Sequence, residues 1–176
     1  MKKNQYLLSG IIILVILAVA VIAFTFHGNN TFNSGTISLE YPKAWSHNNM
    51  VGNFNSTSLY SEVTFTNDYP DENGQKQPAY IIIQMQQKAE GTLNIPSTSS
   101  IIMNTSNSSI SSTSINNQPA IQIGNYGNTM ASKQTIIDKN DFYYVITYVC
   151  PIYAVNQTEQ TYNNILKTIQ FTLKTL

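Results

Sequence analysis

Tyr6 to Phe26, YLLSGIIILVILAVAVIAFTF, is twenty-one consecutive residues without a charge, and this run constrains the chain more than any other stretch. A helix rising about 1.5 Å per residue over that length matches the roughly 30 Å hydrocarbon core of a bilayer. Lys2 and Lys3 precede the run, and no further charge occurs until Glu40. The positive-inside bias then keeps the short N-terminus in the cytoplasm and sends residues 27–176 outward. The run reads as an uncleaved, single-pass anchor. A secretory signal peptide is the alternative, with Ala18-Val19-Ala20 or Val21-Ile22-Ala23 as small-residue cleavage sites. Against it, the apolar stretch continues to Phe26 and exceeds a signal core of about 7–15 residues. No cysteine lies near residue 20 to accept a lipid. Either reading places residues 27–176 outside the cytoplasm.

An exterior domain of about 150 residues holds one core. Its surface must be polar but weakly charged, because charged residues are 10% of the chain, against about a quarter in an average protein. Ser, Thr, Asn and Gln take their place. All nine basic residues are lysines, so the planar donor that reads phosphates and base edges is missing. Beyond the anchor, seven lysines face nine carboxylates. No clustered basic face exists to release counterions, and nucleic acid is excluded as a partner. Cys150 is the only cysteine, which rules out an internal disulfide and a cysteine zinc site. Its setting, ITYVCP, predicts a small buried core residue. Asn-x-Ser/Thr triplets begin at Asn29, Asn55, Asn104, Asn107 and Asn156. Each is a glycosylation candidate, although a chain this rich in Asn, Ser and Thr generates such triplets by chance.

Domain boundaries follow the composition: residues 1–26 anchor, 27–35 tether, 36–176 domain. The tether, HGNNTFNSG, is dense in turn formers. TISLEY then alternates, with Ile37, Leu39 and Tyr41 on one face, until Pro42 ends the strand. Trp45, just beyond, is expected to fold back and close one end of the core. SLYSEVTFTN carries Leu59, Val63 and Phe65 on its apolar face, and AYIIIQMQ (79–86) predicts a central strand covered on both sides. Between them residues 67–78 read as a twelve-residue polar loop. QPAIQIGNYG, ASKQTIID and DFYYVITYVC continue the series, the last two joined at Lys139-Asn140-Asp141 as a hairpin. Residues 96–114 are nearly all Ser, Thr and Asn, and Ile101-Ile102-Met103 predicts one short helix there. Asn156 with Glu159 predicts a helix cap, and Tyr162, Ile165, Leu166 and Ile169 recur at helical spacing. FTLKTL closes the chain as a last strand. The fold class expected is α+β: an antiparallel sheet with one main C-terminal helix packed on it.

The sequence carries little sign of catalysis. His27 and His47 lack partners at metal-ligand spacing and read as loop residues in the tether and in a turn. No Gly-x-Ser-x-Gly occurs, and GNYG (124–127) is a strand-end turn rather than a dinucleotide loop. Asp68, Asp71 and Glu72 are the one carboxylate cluster and the only calcium candidates. Their spacing fails the EF-hand pattern, with Pro70 at the second ligand position. No cofactor is expected. The eleven tyrosines suit strand propensity, and those facing outward suit contacts with protein or polysaccharide.

Four stretches, GTISLEYPKAW (35–45), QPAIQI (118–123), FYYVITYV (142–149) and YNNILKTIQF (162–171), together resemble the PsbP family. The match is nearest to the PsbP-related surface proteins of methanogenic archaea and spans nearly all of residues 32–176. The resemblance implies an antiparallel sheet flanked by helices, a fold shared with a nuclear-import factor of unrelated role. It also implies a non-catalytic accessory domain. No ion-retaining residue of the photosynthetic relatives maps onto a numbered position here.

The expected function is therefore a membrane-anchored, extracytoplasmic accessory or binding module. It is not an enzyme, touches the membrane through residues 6–26, and takes a protein or cell-envelope polysaccharide as partner. A pilin-like subunit is the alternative, weakened because Tyr6–Phe26 contains no Glu. A hydrolase is a third.

Overall fold

A computed structural model of the chain describes residues 28–89 and 108–172. The apolar run Tyr6–Phe26 and the cluster Ile101-Ile102-Met103 lie outside them. Among the described residues no helix is long and apolar enough to cross a membrane. In chain order the elements are β1 (Asn29–Ser34), β2 (Ile37–Pro42), β3 (Ser46–Val51), β4 (Tyr60–Pro70), β5 (Lys76–Gln87), β6 (Ser108–Ile115), β7 (Gln118–Tyr126), β8 (Met130–Lys139) and β9 (Phe142–Pro151). A 3-10 turn (Ile152–Ala154), helix α1 (Val155–Thr168) and the short β10 (Gln170–Phe171) follow.

The strands form two antiparallel sheets, a large one in the order β3-β4-β5-β9-β8-β7-β6 and a small one in the order β1-β2-β10. The expected class, an antiparallel sheet with one C-terminal helix, is the observed one. Register builds the core in rungs. Val63, Ile83 and Ile146 lie abreast across β4, β5 and β9, and Phe65, Ile81 and Tyr148 form the next rung. All six are fully buried, each contributing on the order of 1.5–3 kcal/mol. Opposite this face pack Phe32, Ile37 and Leu39 of the small sheet and Tyr162, Ile165 and Leu166 of α1.

Several expectations are corrected. Asn29–Ser34, expected within the tether, is strand β1, paired along its length with β2. Burial of Phe32 against Phe54 and Phe65 overrides the turn-forming composition around it. The twelve-residue loop shrinks to Asp71–Gln75 because β4 and β5 extend in register to Pro70 and Lys76. Asp71 closes that turn, its Oδ1 accepting the amides of Asn73 and Gln75 at 2.8 Å each. Strand β5 is central, but only one of its faces is fully buried. Ile82 and Gln84 are half-buried and Tyr80 is exposed. Leu59, expected on the apolar face, precedes β4 and is 74% exposed, while Ser61 is fully buried beside Val63 and Phe65 on that face. The Ser61 hydroxyl accepts the Phe54 amide at 3.0 Å. The end of the Ser/Thr/Asn stretch, Ser108–Ser114, lies in strand β6, while the short helix expected around Ile101-Ile102-Met103 falls outside the described residues. Helix α1 begins at Val155 after the 3-10 turn, with Ala154 at its cap. Asn156 therefore lies inside it, and Glu159 binds Lys133 instead of capping.

The sheet has two distinct ends. The near end holds Gly28, Trp45, the 71–75 turn, Met130 and the 3-10 turn. The far end holds Gly35, the 139–142 turn, the 115–118 turn, Leu59 and β10. Trp45 is buried beside Tyr69, ring centroids 6.4 Å apart, and closes the near end as its place after Pro42 suggests.

Candidate functional site

Among the described residues, three concavities lie toward the far end. Two adjoining hollows, of about 110 and 250 Å³, share Thr36 and Ser56. The deeper is walled by the 139–142 turn, Tyr144 and Phe171, and the wider by Ser34, Gly35, Asn53 and Asn55. Gly35 makes this junction. At φ +55 it brings the β1–β2 turn so near the Phe54 carbonyl that a Cβ would sit 2.2 Å from that oxygen. The same carbonyl accepts the Thr36 amide at 2.7 Å and the Thr36 hydroxyl at 2.8 Å. Thr36 Oγ1 also lies 3.0 Å from the Tyr144 hydroxyl. Burial raises the Tyr144 phenol and the Thr36 hydrogen bond opposes the rise, so it stays a neutral hydroxyl. Phe171 packs on Tyr144 at 4.6 Å, with Lys139 Nζ 5.8 Å from its ring centre. Asp141 is held in place through its carbonyl, which accepts the Lys88 amide at 2.8 Å.

A third groove, about 420 Å³, runs between the β6–β7 turn and the last turns of α1. Ile115 and Leu166 form its apolar floor, while Asn116, Gln122, Asn163 and Lys167 supply carboxamides and one ammonium. Asn116 and Asn117 adopt φ +48 and +62, the left-handed pair that a two-residue hairpin requires. Hydroxyls and carboxamides line all three concavities beside aromatic or aliphatic surface, with Lys139 and Asp141 in the deeper hollow and Lys167 in the groove.

The residues singled out in the sequence are dispersed. Asp68 pairs with Pro78 in the ladder, Asp71 closes its turn, and Glu72 is exposed. Among the described residues no three His, Cys, Asp or Glu side chains are grouped to hold a metal. His47 lies in β3 rather than in a turn. Its Nδ1 is 2.9 Å from the Tyr41 hydroxyl and its ring sits edge-on to Phe32 at 5.5 Å. His27, Asn104 and Asn107 fall outside the described residues. Asn29 donates from Nδ2 to Glu40 Oε2 at 3.0 Å. Asn55 lines the wider hollow, its Oδ1 buried with no hydrogen-bond partner among the described residues. Asn156 sits in α1, where the Thr158 of its triplet is buried. Cys150 is buried as expected, its sulfur 2.9 Å from the Tyr148 hydroxyl.

What sequence reading missed is the far-end junction. Its one visible signal was Gly35, standing between two strands where a tight turn was required. Phe171 and the 139–142 turn could be read as elements, but their meeting with residues 53–56 depends on contacts between distant parts of the chain.

The fold and its clefts define an α+β domain with polar concavities at one end. No family model matches the sequence, and no curated protein does. Among solved structures it is similar to that of cyanobacterial PsbP (CyanoP) from Synechocystis sp. PCC 6803, at a TM-score of 0.49 and 7% identity, over 81% of this chain and 92% of that one. It is also similar to LpqN, involved in cell envelope biogenesis of Mycobacterium tuberculosis, at a TM-score of 0.43 and 14% identity, over 83% and 91%. Likeness at these levels transfers no role to this chain.

Proposed function

We propose that this protein is a single-pass membrane protein whose PsbP-like exterior domain is a non-enzymatic binding module, with a neutral cell-envelope polysaccharide as its ligand. The observation that carries the reading is that the three concavities lie at the far end, opposite Gly28, where the chain leads back toward the apolar run. Hydroxyls at Ser56 and Thr172 and the carboxamide of Asn140 can share hydrogen bonds with sugar hydroxyls. The Phe171 ring offers an apolar face to the carbon side of a pyranose. Weak surface charge supports a neutral ligand over an anionic one. The sequence resemblance to PsbP-related surface proteins belongs to the same reading.

Two measurements test it. Native membranes extracted with alkaline carbonate should retain the chain, and protease added to intact cells should digest the domain. Full-length protein in detergent should bind isolated envelope polysaccharide, and Phe171→Ala should weaken that binding about tenfold, equivalent to ~1.4 kcal/mol. Equal binding by wild type and variant, or turnover of the polysaccharide, sinks the proposal.

A further inference from the structure

The near end is organised by a line of contacts. The Lys43 amide donates to the Gly28 carbonyl at 3.2 Å, and the Trp45 amide to Pro42 at 2.9 Å. Trp45 packs near Tyr69, whose carbonyl accepts the Tyr153 hydroxyl at 3.1 Å. The Ile152 amide donates to the Thr129 carbonyl at 2.9 Å, and Met130 pairs with Pro151 across the ladder. Gly28 therefore shares its end of the domain with Met130, Ile152 and Tyr153. These three are 40%, 37% and 38% exposed, an apolar and aromatic rim with no apolar partner over it among the described residues. Charges at this end are mixed, Lys43 and Lys76 standing against Asp68, Asp71 and Glu72.

We propose that Met130, Ile152 and Tyr153 seat the domain in the headgroup layer of the bilayer, so that the far-end clefts point away from the lipid. The inference rests on the anchored reading above. Phe26, last residue of the apolar run, stands two positions before Gly28, and two residues reach at most about 7 Å. So short a connection leaves the near end no room to stand clear of the surface. Exposed Ile and Met gain by leaving water, and so does the exposed part of the Tyr153 ring, whose hydroxyl stays on the Tyr69 carbonyl. Mixed charge removes any strong preference for anionic lipid. The other exposed apolar group, Met50, Val51 and Leu59, lies at the far end and stays away from the bilayer.

The test uses full-length protein reconstituted in phosphatidylcholine vesicles, some carrying a headgroup nitroxide. A maleimide fluorophore on Ile152→Cys or Leu59→Cys reports each end, Cys150 being fully buried and shielded from the reagent. Flotation of the protein with the vesicles comes first. Failure to float refutes the anchor and this inference with it. In floated protein, the label at 152 should be quenched several-fold more than the label at 59. Equal quenching, or stronger quenching at 59, overturns the seating while leaving the anchor intact. A label at 152 shielded from water yet unquenched by the nitroxide also overturns it, in favour of a protein partner. Trp45, the chain's one tryptophan, gives the same readout in the unmutated protein, because it lies at the near end. Its fluorescence should fall in nitroxide vesicles, and unchanged fluorescence counts against the proposal.

Discussion

Gly35 shows how much one residue can hold. Its positive φ and its approach to the Phe54 carbonyl are both closed to an L side chain, so Gly35→Ala meets strain and collision together. The expected loss is more than about 1 kcal/mol, read as a lower urea midpoint at unchanged slope. Tyr148 is a second such position. Its hydroxyl lies 2.6 Å from Thr158 Oγ1 and 2.9 Å from Cys150 Sγ, and Thr158 in turn donates to the Ala154 carbonyl at 2.9 Å. Tyr148→Phe should cost about 1–2 kcal/mol, less than a full orphaning because Thr158 keeps its backbone acceptor. Trp45 and Cys150 were legible from their neighbours in the sequence. Leu59 was not, because alternation assigns a face only once the start of the strand is known.

At the scale of elements, periodicity located β2, β4, β5, β7, β8, β9 and α1, where one face is buried and the pattern records it. It failed at β1, β3 and β6. These strands are rich in Asn or Ser, and their pairing depends on neighbours supplied from elsewhere in the chain. Helix α1 gave a second failure, since a 3-10 turn leads into it and frees Glu159 for Lys133. Burial pushes the Lys133 ammonium down, but hydrogen bonds with Glu159 and Tyr126 and their charges outweigh it and hold the pKa above its ordinary value. This pair ties α1 to β8. Lys133→Met alone should cost about 1–3 kcal/mol, and the double variant Lys133→Met/Glu159→Gln less than the sum of the singles, with coupling of about 0.5–3 kcal/mol. Additive losses in denaturation curves would show that the bridge contributes nothing.

For the whole molecule, the buried phenols set the alkaline limit. Burial raises Tyr144, Tyr148 and Tyr162 above 10.0. The unfolded chain releases these protons near that pH, while the folded chain keeps them. Their contribution is whole below pH 10 and is lost as pH rises through the raised values, at up to about 1.4 kcal/mol per pH unit for each group. Melting temperatures should be flat across neutral pH and fall beyond 10, and Tyr148→Phe should shallow that fall. On the acid side, hydrogen bonds from Tyr60 and then Gln84 lower Glu62. Its contribution is present above the usual carboxylate range and fades as pH drops through the depressed value.

Strand β2 lies between β1 and β10, held on both sides by segments from opposite ends of the described chain. Tension applied at Gly28, with the far end gripped, would draw β1 lengthwise along β2 and load their whole ladder at once instead of peeling it bond by bond. Single-molecule stretching between residue 28 and the far end should therefore meet a high rupture force, and stretching across the ladder a low one. A head built this way keeps its shape under mechanical drag.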